Sequence, residues 1–287
     1  MHALVLASLL AAPAQPPAAH DDQNPLFKRL TGEGLDVGDK AVIKFPAPSM
    51  PDGLAAAKQT EIIKKLIDGK YAYDEFTRNS VVAPQVVTIS NPAGGLKNAP
   101  PRSASVWFVV HGDFKKLEDD KFLDKLVGGT KGGGGKSGPL NGADLVKRDI
   151  KVADEKREGY GFVEFDFLEK VRLKVTGHAM WSRNADSVIT AAEVDPRFRG
   201  DKDFPNEWRA LNKGAAVPVG APNPWGGAGM YLKITKLHEP PGALFVEQHI
   251  IFTEPTGWFD GKPILTSKLP LVVQDNVRTL RKEFVKK

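Results

Sequence analysis

Cysteine is absent from the 287 residues. No disulfide, thiolate metal site or cysteine nucleophile can therefore exist, and stability must come from a buried core. A strong charge of one sign is also missing. Forty Lys and Arg against 35 Asp and Glu leave a formal +5, a mild excess that does not mark a nucleic-acid binder. No apolar run reaches the ~20 residues that a membrane-spanning helix needs. Punctuation is abundant instead, with 28 Gly and 22 Pro, so helices are expected to be few. The 41% apolar and 26% charged composition is that of a globular chain.

The first fourteen residues, MHALVLASLLAAPA, carry an apolar run followed by Ala12-Pro13-Ala14. Small residues at these positions fit a cleavage site before Gln15 and predict a secretory signal peptide over 1–14, although no Lys or Arg precedes the run. The protein is thus expected to be secreted or periplasmic. Residues 13 to 51 hold seven prolines, which predicts a Pro-rich extended arm over 15–50 with a short edge strand at Val42–Phe45. A single α+β domain is expected over 51–287.

Within that domain, Leu54, Ile62, Ile63, Leu66 and Ile67 recur at helical spacing, with Gly69 as the stop, predicting a helix over 52–68. Val81–Ser90 and Ser103–Phe114 are rich in β-branched and aromatic residues and read as strands. A charged amphipathic helix is expected over Lys115–Val127. The glycine-rich run 128–142 reads as a flexible loop. Its Gly135-Lys136-Ser137 imitates a phosphate-binding loop, but Thr130 stands where the pattern requires glycine and Pro139 obstructs the helix that should follow.

From Gly161 the period becomes two. Val163, Phe165, Phe167, Val171, Leu173 and Val175 all occupy odd positions, as in a half-buried antiparallel sheet. Keeping that parity on one face requires an odd-length connection, or one long bent strand, near Glu169-Lys170. Further strands are expected at Val188–Val194, Met230–Leu237 and Ala243–Phe252, the last two as a hairpin around Pro240-Pro241-Gly242. With a four-residue loop, that hairpin sets His249 opposite Leu232. Loop tryptophans at 208, 225 and 258 read as plugs closing the ends of the core. A final amphipathic helix is expected from about Lys268 to Val285, with Leu269, Val273, Val277, Leu280 and Phe284 within an arc of about 80°. Together these predict a curved antiparallel sheet packed against a long C-terminal helix.

Two constellations could carry chemistry. His111-Gly112-Asp113 closes the most apolar strand, and His111 with Asp113 could serve a hydrolase or a metal-dependent enzyme. No nucleophile elbow accompanies them, and no spacing brings a third ligand from His178, His238 or His249, so neither a metal nor a cofactor is expected. Arg278, Arg281, Lys282 and Lys286 near the chain end could give weak contact with an anionic surface.

Over Tyr160–Phe284, the meander followed by Gly257-Trp258-Phe259-Asp260, Ser267-Lys268-Leu269-Pro270 and Leu280-Arg281-Lys282 resembles START-like proteins of the SRPBCC, or Bet v 1-like, helix-grip superfamily. The resemblance implies a sheet wrapped around the terminal helix and an apolar tunnel for a lipid or similar small molecule. By the same analogy Val273, Val277, Leu280 and Phe284, with Phe165 and Phe167 on the sheet, would line it. The family has no universal catalytic residues, so none is carried over to this chain, and a non-catalytic binder is expected with the His111 and Asp113 enzyme as the alternative.

Overall fold

The computed structural model describes residues 19–38, 40–94, 96–119, 121–123, 137–212, 217–259 and 264–285. Two short helices, α1 (His20–Gln23) and α2 (Pro25–Gly32), precede a two-stranded hairpin of β1 (Leu35–Gly38) and β2 (Ala41–Ile43). Helices α3 (Ala56–Ile67) and α4 (Tyr73–Thr77) follow, then β3 (Val86–Ser90) and β4 (Pro101–His111). A short β5 (Ser137–Pro139) and α5 (Gly142–Val146) lead into the meander. Its strands are β6 (Glu158–Phe167), β7 (Val171–Arg183), β8 (Ser187–Val194), β9 (Glu207–Leu211), β10 (Pro218–Pro224), β11 (Ala228–Lys236) and β12 (Ala243–Thr253). The chain closes in α6 (Ile264–Val285).

Ten strands form one antiparallel sheet in the order β3-β4-β12-β11-β8-β7, which then forks. One edge of β7 pairs with β6 over its first ten residues. The other edge pairs with β8 through Gly177–Arg183 and with β9 through Val171–Lys174. The buried side chain of Asn206 fills the handover: its Oδ1 accepts from Thr176 N–H at 2.7 Å and its Nδ2 donates to the Asp195 carbonyl at 2.6 Å. Asp195 N–H also donates to the Thr176 carbonyl at 2.9 Å, so backbone groups of both residues are paired where one ladder stops and the next begins.

Phe167 faces Val171 across a three-residue connection, Leu168-Glu169-Lys170, so the odd residues of both strands share a face. Leu168 and Glu169 adopt φ of 52° and 58°, a region that costs a side-chain-bearing residue about 1 kcal/mol. Glu169→Gly should raise the melting temperature by about 2–4 °C. A lower melting temperature would show that the Glu169 side chain contributes more than its backbone strain.

Both faces of the sheet are covered. On one, α6 lays Leu269, Val273, Val277 and Phe284 against Val106, Phe108 and Val110 of β4, Val246 of β12 and Ile234 of β11. The predicted helix is real, but it begins four residues earlier, so Pro270 lies inside it. On the other face, Leu26, Phe27, Leu30, Val37, Ile43 and Phe45 pack on Tyr231, Ile251 and Met180. Met50, Ile63, Ile67 and Phe76 pack on Val109 and Phe245.

The 15–50 stretch therefore is not an extended arm over its described part: it holds two helices and a hairpin that enter the core. The local reason is Asn24-Pro25. The Asn24 side chain caps α2 by accepting from Phe27 N–H at 2.9 Å, and Pro25 takes the first helical position.

Other expectations shift. Val81–Ser90 is strand only from Val86, and Val42–Phe45 only to Ile43. Lys115–Val127 is a 3₁₀ turn at Phe114–Glu118 followed by a helical fragment at 121–123, because Asp113 and Asp119 each start a new turn by accepting from the N–H two residues on. The rest of that expected helix and most of the glycine-rich run lie outside the described residues. Residues 137–139 of the run are strand β5, paired with β6. His249 opposes Tyr231, not Leu232, because the hairpin connection between Leu237 and Ala243 has an odd length.

Candidate apolar ligand site

The odd positions of β6 and β7, and the even positions of β8, β11, β12 and β4, face α6. Six strands from β3 to β7 span about 24 Å at 4.8 Å per step, whereas a helix is only about 10–12 Å across. Helix α6 runs closest to β4. The far half of the face is closed by the loop before it, where Trp258 and Phe259 are buried with Trp225 over β6, β7 and the end of β12. Phe167 meets the Trp258 ring at 5.5 Å, and Trp225 meets it at 5.5 Å. Trp225 donates its indole N–H to the Thr253 carbonyl at 3.1 Å. Trp225 and Trp258 are therefore plugs, as expected. Trp208 lies within β9 rather than on a loop, half-buried beside Trp258. The indole nitrogen of Trp258 is buried and has no hydrogen-bond partner.

The residues singled out from the sequence fall into two groups on this one face. Val273, Val277 and Phe284 are buried beneath α6, with Leu280 half-buried beside them. Phe165 and Phe167 are half-buried in the aromatic group around Trp258. Between these groups, Trp181 and Met230 are also half-buried against the α6 cluster. Trp181 and Arg183 were missed, although both continue the odd parity of β7. Arg183 stacks its guanidinium on Trp181 at 4.9 Å, and its Nε and Nη2 are buried without a hydrogen-bond partner.

The opposite face is held by charge. Lys233, buried on β11, reaches Asp52 at 2.8 Å and the Met50 carbonyl at 2.7 Å. Glu247, opposite Lys233 on β12 and fully buried, accepts from Ser49 N–H at 2.7 Å and Met50 N–H at 3.3 Å. Ser187 Oγ donates to Asp52 at 2.7 Å, so it accepts from His20 Nε2–H, also at 2.7 Å. His20 Nδ1 then accepts from Ser182 Oγ at 2.7 Å. Both nitrogens of a neutral His20 are satisfied, and burial, against the pull of Asp52, lowers its pKa to about 4. Burial and then the Glu247 charge push the Tyr231 hydroxyl well above its usual range.

His111 and Asp113 sit at the end of β4 with structural partners. His111 Nε2 lies 2.7 Å from the Thr77 carbonyl, and Asp113 accepts from Lys115 N–H at 2.9 Å. Among the described residues no three His, Cys, Asp or Glu side chains are grouped to hold a metal ion.

Of the four cations proposed to meet an anionic surface, Arg281 cannot do so. It is 3% exposed, and its guanidinium donates to the carbonyls of Val109, Val81, Ala83 and Pro84. Burial, and then the charge of Arg78, lowers its pKa to about 10. Arg278 lies 3.8 Å from Asp275, Lys282 is exposed, and Lys286 lies outside the described residues.

The chain matches no protein-family model and no curated protein. Among solved structures it is similar to an uncharacterised protein of Rhizobium leguminosarum, at 9% identity over 69% of this chain and 99% of that one, with a TM-score of 0.31. It is also similar to human STARD10, at 9% identity over 86% of this chain and 84% of that one, with a TM-score of 0.38.

Proposed function

We propose that the protein is an exported, non-catalytic carrier of an apolar small molecule held between the sheet and α6, in the manner of the helix-grip proteins its C-terminal half resembles in sequence. The observation that supports this is the set of large apolar side chains left half-buried on the face that α6 and the tryptophan loop cover. Trp181, Met230, Phe165 and Phe167 remain half-buried on that face. An acyl chain laid over them would gain ~0.8 kcal/mol per buried CH₂, and a dozen such groups would exceed the cost of association. Export rests on residues 1–14, and the mature chain would begin at Gln15, ahead of every described element.

Titration with the neutral probe N-phenyl-1-naphthylamine should give saturable emission at one site per chain, displaced by hexadecanol, with quenching of tryptophan fluorescence. Native mass spectrometry of the purified protein should show a co-purified apolar molecule. A flat titration together with a bare mass would remove the proposal. N-terminal sequencing of the secreted product should begin at Gln15.

A further inference from the structure

We infer that the apolar ligand carries a carboxylate head group and that Arg183 receives it. The inference rests on the reading just given, that such a ligand lies against this sheet face. It starts from an imbalance in the use of arginines. In a guanidinium, Nε–H and one Nη2–H lie on the same edge and fit the two oxygens of a carboxylate. Among the described residues this chain uses that edge three times. Arg148 holds Asp201 with Nε at 2.6 Å and Nη2 at 2.8 Å. Arg172 holds Asp166 with Nε at 2.7 Å and Nη2 at 3.0 Å. Arg197 holds Asp195 with Nε at 3.0 Å and Nη2 at 2.5 Å.

Arg183 presents the same edge differently. Its Nε and Nη2 are buried, yet neither has a hydrogen-bond partner. A buried charged donor left unpaired is costly, and native structures rarely keep one without a use. Its position fits the use. Arg183 pairs with Val188 across β7 and β8, and Val188 belongs to the cluster under α6. The neighbouring Ser182 points to the opposite face, where it bonds His20. Arg183 is thus a cation at the hairpin end of the apolar face, fixed by stacking on Trp181 at 4.9 Å. That stacking leaves the guanidinium edge free while fixing its plane. A chain lying on Trp181 and Met230 would bring a terminal acid to that edge.

The test compares ligands of one chain length by calorimetry on the full-length mature protein. Hexadecanoate should bind at least about tenfold more tightly than hexadecanol. Arg183→Gln should remove that preference, bringing the hexadecanoate affinity down to that of hexadecanol, without lowering the melting temperature. Arg183→Lys, which keeps the charge and loses the fork, should retain only part of it. Acetate should not compete, because it has no tail. Equal binding of the two ligands by the wild type, a preference that survives Arg183→Gln, or competition by acetate would each overturn the assignment of Arg183 while leaving the apolar site standing. Failure of both hexadecanoate and hexadecanol to bind would overturn the underlying reading as well.

Discussion

Arg281→Met should destabilise the protein by about 3 kcal/mol. The substitution keeps an unbranched stem in place over Phe108, whose ring lies 5.7 Å from the guanidinium, and removes only the donors. The carbonyls of Val109, Ala83 and Pro84 then lose their partner at 3.0, 2.5 and 2.9 Å. An orphaned buried acceptor costs about 1–3 kcal/mol. Relief of a buried charge, which burial already disfavours enough to lower the pKa to about 10, offsets part of the sum. Urea unfolding of the two proteins measures the difference. A loss under about 1 kcal/mol would mean that water reaches these carbonyls. The same contacts predict that removing residues 278–287 yields insoluble protein, since Arg281 and Phe284 leave the core together. Retention on anionic vesicles is better tested with Lys282→Ala, which touches an exposed position.

Acid should weaken the fold well before its carboxylates are protonated. His20 titrates at about 4 when folded and at its ordinary 6.5 when unfolded. Between those values the unfolded chain takes up a proton that the native chain refuses, so stability falls as pH drops from about 6.5 to about 4 and is fully present above that window. At 1.36 kcal/mol per pH unit the whole step is about 3 kcal/mol. Asp52 is shifted in the sense that extends the loss. Its carboxyl resists protonation because the bonds from Lys233, Ser187 and Asn184 outweigh burial, which acts the other way, and its contribution disappears below its ordinary 3.8. Chemical denaturation at pH 7.5 and pH 4.5 should therefore differ by most of the 3 kcal/mol. In His20→Gln the two midpoints should nearly coincide. An equally large pH effect in His20→Gln would place the sensitivity elsewhere.

What could be read from the sequence was periodic and local. The odd parity of Val163 through Val175 gave the strands and required either an odd-length connection or one long bent strand, and the chain uses three residues. The stripe Leu269, Val273, Val277 and Phe284 gave the helix and its buried side. What could not be read depended on contacts distant in sequence. The segment 20–45 looked like linker because the prolines on either side of it outweighed its short apolar pattern, and only the cap at Asn24-Pro25 betrayed α2. Lys233, Glu247 and His249 sit at positions that alternation assigns to water, yet they are buried because the N-terminal segment lies over them. Arg281 belonged by composition to a basic tail. Its burial requires knowing that residues 81–84 run beneath it. Trp181 and Arg183 were legible in principle, since the parity of β7 continues through them.

The attachments of α6 are unequal along its length. In the last two turns Arg281 grips the 81–84 segment, the Phe284 carbonyl accepts from Lys116 Nζ at 2.7 Å, and Gly112 lies so close that a methyl group there would meet the Phe284 carbonyl at 2.9 Å. The first turns contribute Leu265 and Leu269 to apolar packing but leave Leu271 and Val272 in solvent. Prying the rod from the sheet thus costs least at its amino end, with the carboxyl end as pivot. An apolar ligand held as proposed would enter and leave beside Ile264 and the tryptophan cluster.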